Sequence, residues 1–307
     1  MIITGKKFSK PEMSRVKNGD VELKLPDSPK ERTRLDLILV EKYPEYNRST
    51  LQNFVKSGYV TVDSKVITKP NFDILEGENP EIILSVPARE TPQDIKELLI
   101  YEDQNVLVIN KPAGLLSMAK GQFTSEVTLE DYGLLVHRLD RDTSGVVILA
   151  KNPATQTMLR RQFQERKTHK TYVAVVAGHP KNAQALIDLP IARNYKHPTT
   201  FLVDPNGKSS QTYYRVLEQT AQKSLIELKP VTGRTHQLRV HLSYIGCPIL
   251  GDRIYNKASK APRLYLHAES LEISIPSLDA TSASNVRRTF EAPIPQDFYQ
   301  ELESDVL

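Results

Sequence analysis

The chain has 307 residues, of which 39% are hydrophobic and 25% charged, a balance that excludes wholesale disorder. Lysine and arginine (41) exceed aspartate and glutamate (37), giving a net charge of +4 that is compatible with nucleic acid without pointing to it. Cys247 is the only cysteine, so an intrachain disulfide is impossible and a cysteine-rich zinc site is excluded. No apolar run approaches the roughly 20 residues of a membrane span. The polar start Met1-Ile2-Ile3-Thr4-Gly5-Lys6-Lys7 carries no apolar signal region, so a cytoplasmic protein without membrane partners is expected.

Residues 1–30 are polar and interrupted by Pro26 and Pro29, which predicts an extended arm. Leu35, Ile38, Leu39 and Tyr43 then recur at helical spacing until Pro44. Ser49 is the expected cap of a second helix carrying Leu51, Phe54 and Val55, with Gly58 as its left-handed stop. Tyr59-Val60-Thr61-Val62 and Val66-Ile67-Thr68 around Asp63-Ser64-Lys65 read as a hairpin, and Ile82 to Val86 as a strand. Two helices and a ribbon make only a small core, the usual size of an attached binding module. Arg34, Arg48, Lys56 and Lys65 are cations this unit is expected to offer to phosphates.

Residues 31–87 resemble the small S4-like RNA-binding domain. The resemblance is carried by Arg34-Leu35-Asp36, Arg48-Ser49, the Gly58-Tyr59-Val60-Thr61-Val62 strand and the Gly77 turn. A linker is expected over 88–97 and a second domain over 98–307. There Val106-Leu107-Val108-Ile109, Val146-Val147-Ile148-Leu149, Tyr172-Val173-Ala174-Val175-Val176 and Leu225-Ile226-Glu227-Leu228 read as strands, and Thr155 to Phe163 as a helix. Turns separate the strands as often as helices do, which predicts an α+β fold with a mixed sheet.

Three segments of this domain carry candidate chemistry. His137-Arg138-Leu139-Asp140-Arg141-Asp142-Thr143-Ser144-Gly145 packs charge between two apolar strands, as a functional loop on a rigid scaffold does. In Thr232-Gly233-Arg234-Thr235-His236-Gln237-Leu238-Arg239-Val240-His241-Leu242, the residues Leu238, Leu242 and Ile245 mark a helix begun near Thr232 or Thr235. Free amides of its first turn near Arg234 would suit a phosphate, and Arg239 lies off the apolar face. His169-Lys170-Thr171-Tyr172 opens a strand beside basic residues. Taken singly, each segment fits a plainer role: a capping Asp140, a surface Arg239, a core Tyr172.

Together, and in order, the segments resemble the RluA-type pseudouridine synthases. Asn110-Lys111-Pro112-Ala113-Gly114 matches the first motif and the run from His137 to Gly145 the active-site loop. Lys170-Thr171-Tyr172 matches the tyrosine motif, and the run from Gly233 to Arg239 the arginine motif. Pro248-Ile249-Leu250-Gly251-Asp252 and Leu266-His267-Ala268 match later landmarks. The resemblance implies a mixed, largely antiparallel sheet with flanking helices, and a cofactor-free, metal-free isomerisation of uridine to pseudouridine in structured RNA. It implies Asp140 as the essential carboxylate, acting at the sugar or at the base, Arg239 as its ion-pair partner, and Tyr172 stacking on the uracil. Leu238 would pack beside that base and Arg138 would hold the helix while the uridine is flipped out. Arg160, Arg161, Arg166, Lys167 and Lys170 become an expected strip for RNA phosphates, with Arg234 nearby. Large-subunit ribosomal RNA is the expected target, transfer RNA the alternative, and a monomer the expected form. The chain departs from the family after Gly114, where Leu115-Leu116-Ser117-Met118-Ala119-Lys120 leads quickly to His137 without the usual longer insert.

Three rivals stand against this. Asp140-Arg141-Asp142-Thr143 fits the D-x-D-x-T loop of magnesium-dependent haloacid-dehalogenase-type phosphatases, but His137 and Arg138 separate it from its strand, and Gly251-Asp252 lacks a second acidic member. A non-catalytic ribosome-associated RNA-binding protein would not need Asp140, Tyr172 and Arg239 together. A zinc hydrolase is disfavoured because His236 and His241 are five apart and no H-E-x-x-H occurs.

Overall fold

The computed structural model describes residues 32–75, 81–85, 94–119, 126–278 and 284–304. The arm expected over 1–30, the Gly77 turn and residues 88–93 of the expected linker lie outside the described residues. The chain divides into two compact units, Met1–Ala88 and Arg89–Leu307.

In the first unit, β1 (Arg32–Arg34) leads into α1 (Leu35–Lys42) and α2 (Arg48–Lys56), followed by β2 (Val60–Val62), β3 (Lys65–Val66), β4 (Asp73–Leu75) and β5 (Ile82–Leu84). The β3-β2-β5 sheet is antiparallel, and β1 pairs with β4. Leu35, Leu39, Leu51, Phe54, Val55, Val60 and Ile82 form the buried side of this unit. Asn47, and not Ser49, caps α2: its side chain accepts the Thr50 amide at 2.9 Å, which puts Ser49 inside the first turn. Gly58 stops the helix at φ +78°, and the β2–β3 turn runs through Asp63 and Ser64, both left-handed, whose twist suits a tight hairpin.

The second unit is built on one large sheet. Its elements are β6 (Leu99–Glu102), β7 (Val106–Lys111), β8 (Leu134–Leu135), β9 (Ser144–Ala150), α3 (Pro153–Gln164), β10 (His169–Ala177), β11 (Gln184–Asp188), β12 (Ile191–Arg193), β13 (Phe201–Val203), β14 (Gln211–Gln219), β15 (Lys223–Pro230), α4 (Gln237–Tyr244), β16 (Leu266–Pro276), β17 (Asn285–Glu291) and α5 (Gln296–Glu303). Ten strands join in the order β11-β14-β15-β10-β16-β9-β7-β6, with β17 on β16 and β8 on β9; β12 and β13 form a separate hairpin. Every pairing in the large sheet is antiparallel except β9 with β16. The fold is therefore α+β with a mixed, mostly antiparallel sheet. β9 is buried along its whole length, as its apolar run Val146–Ala150 requires of a central strand. Ile95, in the segment expected to link the domains, and Leu98, which follows it, pack on this unit's core because they are apolar residues beside β7.

The parallel join positions the chemistry. His267 and Ala268 pair with Ser144 and Gly145, and Tyr172 pairs with Ala268 from the other side, so Tyr172, Ala268 and Gly145 lie in one row across three strands. A side chain at Gly145 would collide with the Ala268 backbone, so only glycine allows β9 to start this close to β16. The loop holding Asp140 enters the sheet at that point.

Candidate active site

Asp140 sits in the loop between β8 and β9, and the flanking backbone is fixed from outside the loop. The Ser117 hydroxyl donates to the Leu139 carbonyl at 2.7 Å, and the Leu139 amide donates to Ser117 Oγ at 3.1 Å. The fully buried Lys111 donates from Nζ to the carbonyls of Pro112, Leu115 and Arg141, and the Gly114 amide also donates to Arg141 O. The Asn110 to Gly114 motif thus clamps the residue that follows Asp140. His137 opens the loop as a structural group. Its Nε2 accepts the Ile148 amide at 3.1 Å and its ring stacks on Phe163, and burial lowers its pKa to about 3, so it is neutral.

Opposite the loop, α4 presents Arg239. The helix begins at Gln237, later than Thr232 or Thr235, because the preceding turn is closed by side chains. Gln237 Oε1 accepts from the Thr232 hydroxyl and the Arg234 amide, while its Nε2 donates to Gln211 O and Thr212 Oγ1. The Arg234 amide expected to be free for a phosphate is therefore occupied. The same bonds explain the polar strand around Thr212, which also meets Nδ1 of the buried His241 at 2.9 Å.

Arg239 spans two carboxylates. Nε and Nη2 donate to Oδ2 and Oδ1 of Asp252 at 2.7 and 2.8 Å, and Nη1 donates to Oδ2 of Asp140 at 3.1 Å. Burial acts against the guanidinium charge, but the two carboxylates outweigh it and hold its pKa above the ordinary value. Burial likewise opposes ionisation of Asp252; hydrogen bonds from Arg239 and from the Tyr255 and Ile254 amides overcome it and keep that carboxyl below its usual range. Asp252 is inaccessible, whereas the Asp140 side chain is 22% exposed. Asp252 follows Gly251, whose φ of +71° and contact with the Arg263 backbone admit no side chain.

Asp140 and Arg239 stand in a cavity of about 470 Å³ lined also by Arg138, Lys170, Tyr172, Arg234, His236 and Leu238. Tyr172 has no hydrogen-bond partner for its hydroxyl among the described residues; burial, and then the Asp140 charge, raise its pKa, so it is a neutral phenol. Leu238 is buried at the wall. Lys170 is half-buried without an ion-pair partner among the described residues, and burial lowers its pKa. Arg138 is exposed, with Met118 Sδ 3.5 Å away.

Residues 105–244 match the family described as RNA pseudouridylate synthase, and residues 33–79 match the S4 domain. The "Uncharacterized RNA pseudouridine synthase" of Aquifex aeolicus is 39% identical over 255 residues, covering 76% of this chain and 80% of the relative. The "Ribosomal large subunit pseudouridine synthase D" of Xanthomonas campestris pv. campestris is 34% identical, covering 89% of this chain and 88% of the relative. The chain belongs to the RluA-type family of RNA pseudouridine synthases. Among solved structures, human RNA pseudouridylate synthase domain containing 4 aligns with a TM-score of 0.55 at 26% identity, covering 68% of this chain and 92% of that one. Human RNA pseudouridylate synthase domain containing 1 aligns at 0.53 and 28% identity, covering 71% and 99%. The chain is accordingly an isomerase with an RNA partner.

Not every expected contact residue of this synthase faces the cavity. Arg160 donates to the Leu135 carbonyl and Arg161 pairs with Glu165, as does Lys167, so the helix end is tied up in local bonds; of the expected strip only Arg166 and Lys170 line the cavity. Arg234 lines it while donating from Nε to the Ser209 carbonyl. In the S4 unit, Arg34 and Arg48 both pair with the buried Asp36, their side chains 44% and 49% exposed, and Lys56 is exposed. The phosphatase reading loses its metal ligand, since both Asp252 oxygens are taken by Arg239. Asp252 stood in the sequence only as a landmark, and Tyr255 and Phe201 carried no signal at all. Phe201 reaches the site through His236, its ring edge-on to the imidazole, whereas Tyr255 does so through Oη, 2.9 Å from His236 Nδ1, through its amide on Asp252, and through its ring, whose centroid lies 5.3 Å from the Arg239 guanidinium.

Proposed function

We propose that this synthase isomerises specific uridines in structured RNA, with large-subunit ribosomal RNA as its substrate, and that Asp140 carries the reaction without a cofactor. The observation that carries the reading is the Asp140–Arg239 pair in a cavity walled by Tyr172 and Leu238. The reaction breaks the bond between C1′ and N1, turns the uracil, and joins C1′ to C5; C5 loses a proton and N1 gains one. Atoms and electrons balance within the nucleotide. An anionic oxygen beside the sugar or base stabilises, or bonds transiently to, the electron-poor centre that the cleavage creates. Arg239, itself anchored by Asp252, holds and aims Asp140. Tyr172 stacks on the uracil with Leu238 at its edge, and Arg138 at the mouth holds the RNA from which the base has turned.

The ribosomal target is supported by relatives named for the large ribosomal subunit that align across both the S4 and the catalytic regions. In this reading the domains divide as 31–87 for RNA affinity, through Arg34, Arg48 and Lys56, and 98–307 for chemistry. Lys170 and Arg234 meet phosphates beside the cavity, and Arg160 and Arg161 farther along α3. In this reading the working form is a monomer. The test is a map of pseudouridine in cellular RNA with and without the protein. Loss at defined uridines of the large-subunit RNA is expected; loss from transfer RNA instead would redirect the substrate, and an unchanged map would overturn the reading.

A further inference from the structure

His236 is held in a conformation that its sequence position does not explain. It precedes α4 with φ +56°, a left-handed backbone that costs a residue other than glycine roughly 1–2 kcal/mol and that persists at functional sites when surrounding contacts impose it. Those contacts are specific. The rings of Phe201 and Tyr255 stand edge-on to the imidazole with centroids at 5.5 and 5.6 Å. The Phe201 amide donates to Tyr255 Oη at 2.8 Å, and Oη lies 2.9 Å from His236 Nδ1. The phenol hydrogen has no other acceptor among the described residues, so Tyr255 donates it to Nδ1. Burial lowers the His236 pKa, with the Asp140 charge opposing, and the neutral ring then carries its one hydrogen on Nε2. That nitrogen is 3.8 Å from Asp140 Oδ2, the same oxygen that accepts from Arg239 Nη1. Oδ1 of Asp140 has no partner among the described residues.

We infer that His236 is a positioning residue for Asp140: its Nε2–H, with the tautomer set by Tyr255, holds Oδ2 beside Arg239 and leaves Oδ1 as the oxygen that reacts. The inference rests on the reading above that Asp140 carries the reaction. A separation of 3.8 Å is longer than a hydrogen bond, and such contacts tighten when substrate closes the site.

Side-chain length separates this role from a packing role. In His236→Gln the amide reaches as far as Nε2. In His236→Asn it reaches only as far as Nδ1, and asparagine tolerates the left-handed backbone better than most residues, so strain does not account for a defect there. Single-turnover rates at saturating RNA and RNA dissociation constants are measured for His236→Ala, His236→Asn and His236→Gln. The alanine and asparagine variants are expected to slow by about tenfold or more with affinity held within about threefold, and the glutamine variant to stay within about threefold of the wild-type rate. A glutamine variant as slow as alanine, an alanine variant at the wild-type rate, or a loss confined to affinity would each overturn the inference. Asp140→Asn run alongside distinguishes the two failures. If it keeps the wild-type rate, the Asp140 reading falls and takes this one with it; if it is inactive while His236→Ala is normal, only this inference falls.

Discussion

The two units each hold a carboxylate among arginines, and the pair differ in how many of their lone pairs are used. Asp36 in the S4 unit is fully buried. It accepts from Arg34 Nε on Oδ1, and from Arg34 Nη2, Arg48 Nε, Arg48 Nη2 and Gln52 Nε2 on Oδ2. Asp140 in the catalytic unit accepts one hydrogen bond from the described residues, on one oxygen, and opens to a cavity. A saturated carboxylate ties elements together, here β1, α1 and α2, and has nothing left to give a substrate. An unsaturated one, held by a single fixed cation, keeps an oxygen free. Asp252 extends the lesson within the catalytic unit, since its saturation by Arg239 and two amides is what fixes the cation that Asp140 uses.

The sharpest way to break this contrast is Asp140→Asn. The amide oxygen still accepts from Arg239, so melting temperature and RNA affinity should change little, while the isomerisation rate falls by about a thousandfold or more. Residual activity within a few-fold of wild type would make Asp140 a structural residue like Asp36. Asp252→Asn comes next. Its Oδ1 retains the backbone amides and Arg239 Nη2, but its NH2 group faces Arg239 Nε–H, so one arm of the anchor is lost. A rate loss on the order of tenfold to a hundredfold is expected, together with a lower melting temperature. An unimpaired Asp252→Asn enzyme would mean that α4 alone positions Arg239.

Much of this was legible in the sequence where a residue's role is set by near neighbours. The apolar runs of β7, β9 and β10 are buried as their composition requires, and α3 spans the expected helix with Asn152 as its cap. The ordered motifs brought Asp140, Tyr172, Leu238 and Arg239 to one cavity. What was not legible depends on distant partners. β17 has one buried residue, Phe290, and so no alternation to read. The start of α4 is set by Gln237 reaching Thr232 and Thr212, and nothing in the helix pattern records that. Arg34 and Arg48 looked like free cations because the burial of Asp36 between them arises only when α1 packs on α2.

Asp36→Asn tests the structural side of the comparison. Burial pushes the Asp36 carboxyl up, but Arg34, Gln52 and Arg48 pull harder and bring its pKa to about 2, below the 3.8 of an unperturbed aspartate. The folded state therefore binds fewer protons than the unfolded one. The stability contributed by this group is complete above pH 3.8 and is lost as pH falls through about 2. Asp36→Asn should cost the S4 unit about 2 kcal/mol near neutrality, flatten that acid loss, and weaken RNA affinity, with the rate at saturating RNA unchanged. A slowed chemical step at saturation would show that the two carboxylates are not separable.

The smallest effect is expected at Lys170, the cationic counterpart of Asp140: half-buried, at the same cavity, and without an ion-pair partner among the described residues. Burial lowers its pKa from 10.5, so the folded chain holds fewer protons there than the unfolded chain in the range just below that value, and stability from this group rises with pH. Lys170→Met removes an uncompensated charge, so the free protein should be as stable as wild type or slightly more so, with a flatter pH dependence on the alkaline side. RNA binding should weaken only a few-fold at moderate salt, and the slope of log affinity against log salt should shrink by about 0.7–0.9, one phosphate's worth. A destabilised variant with an unchanged salt slope would place the ammonium in an internal network, and Lys170 would then belong with Asp36 among the saturated groups.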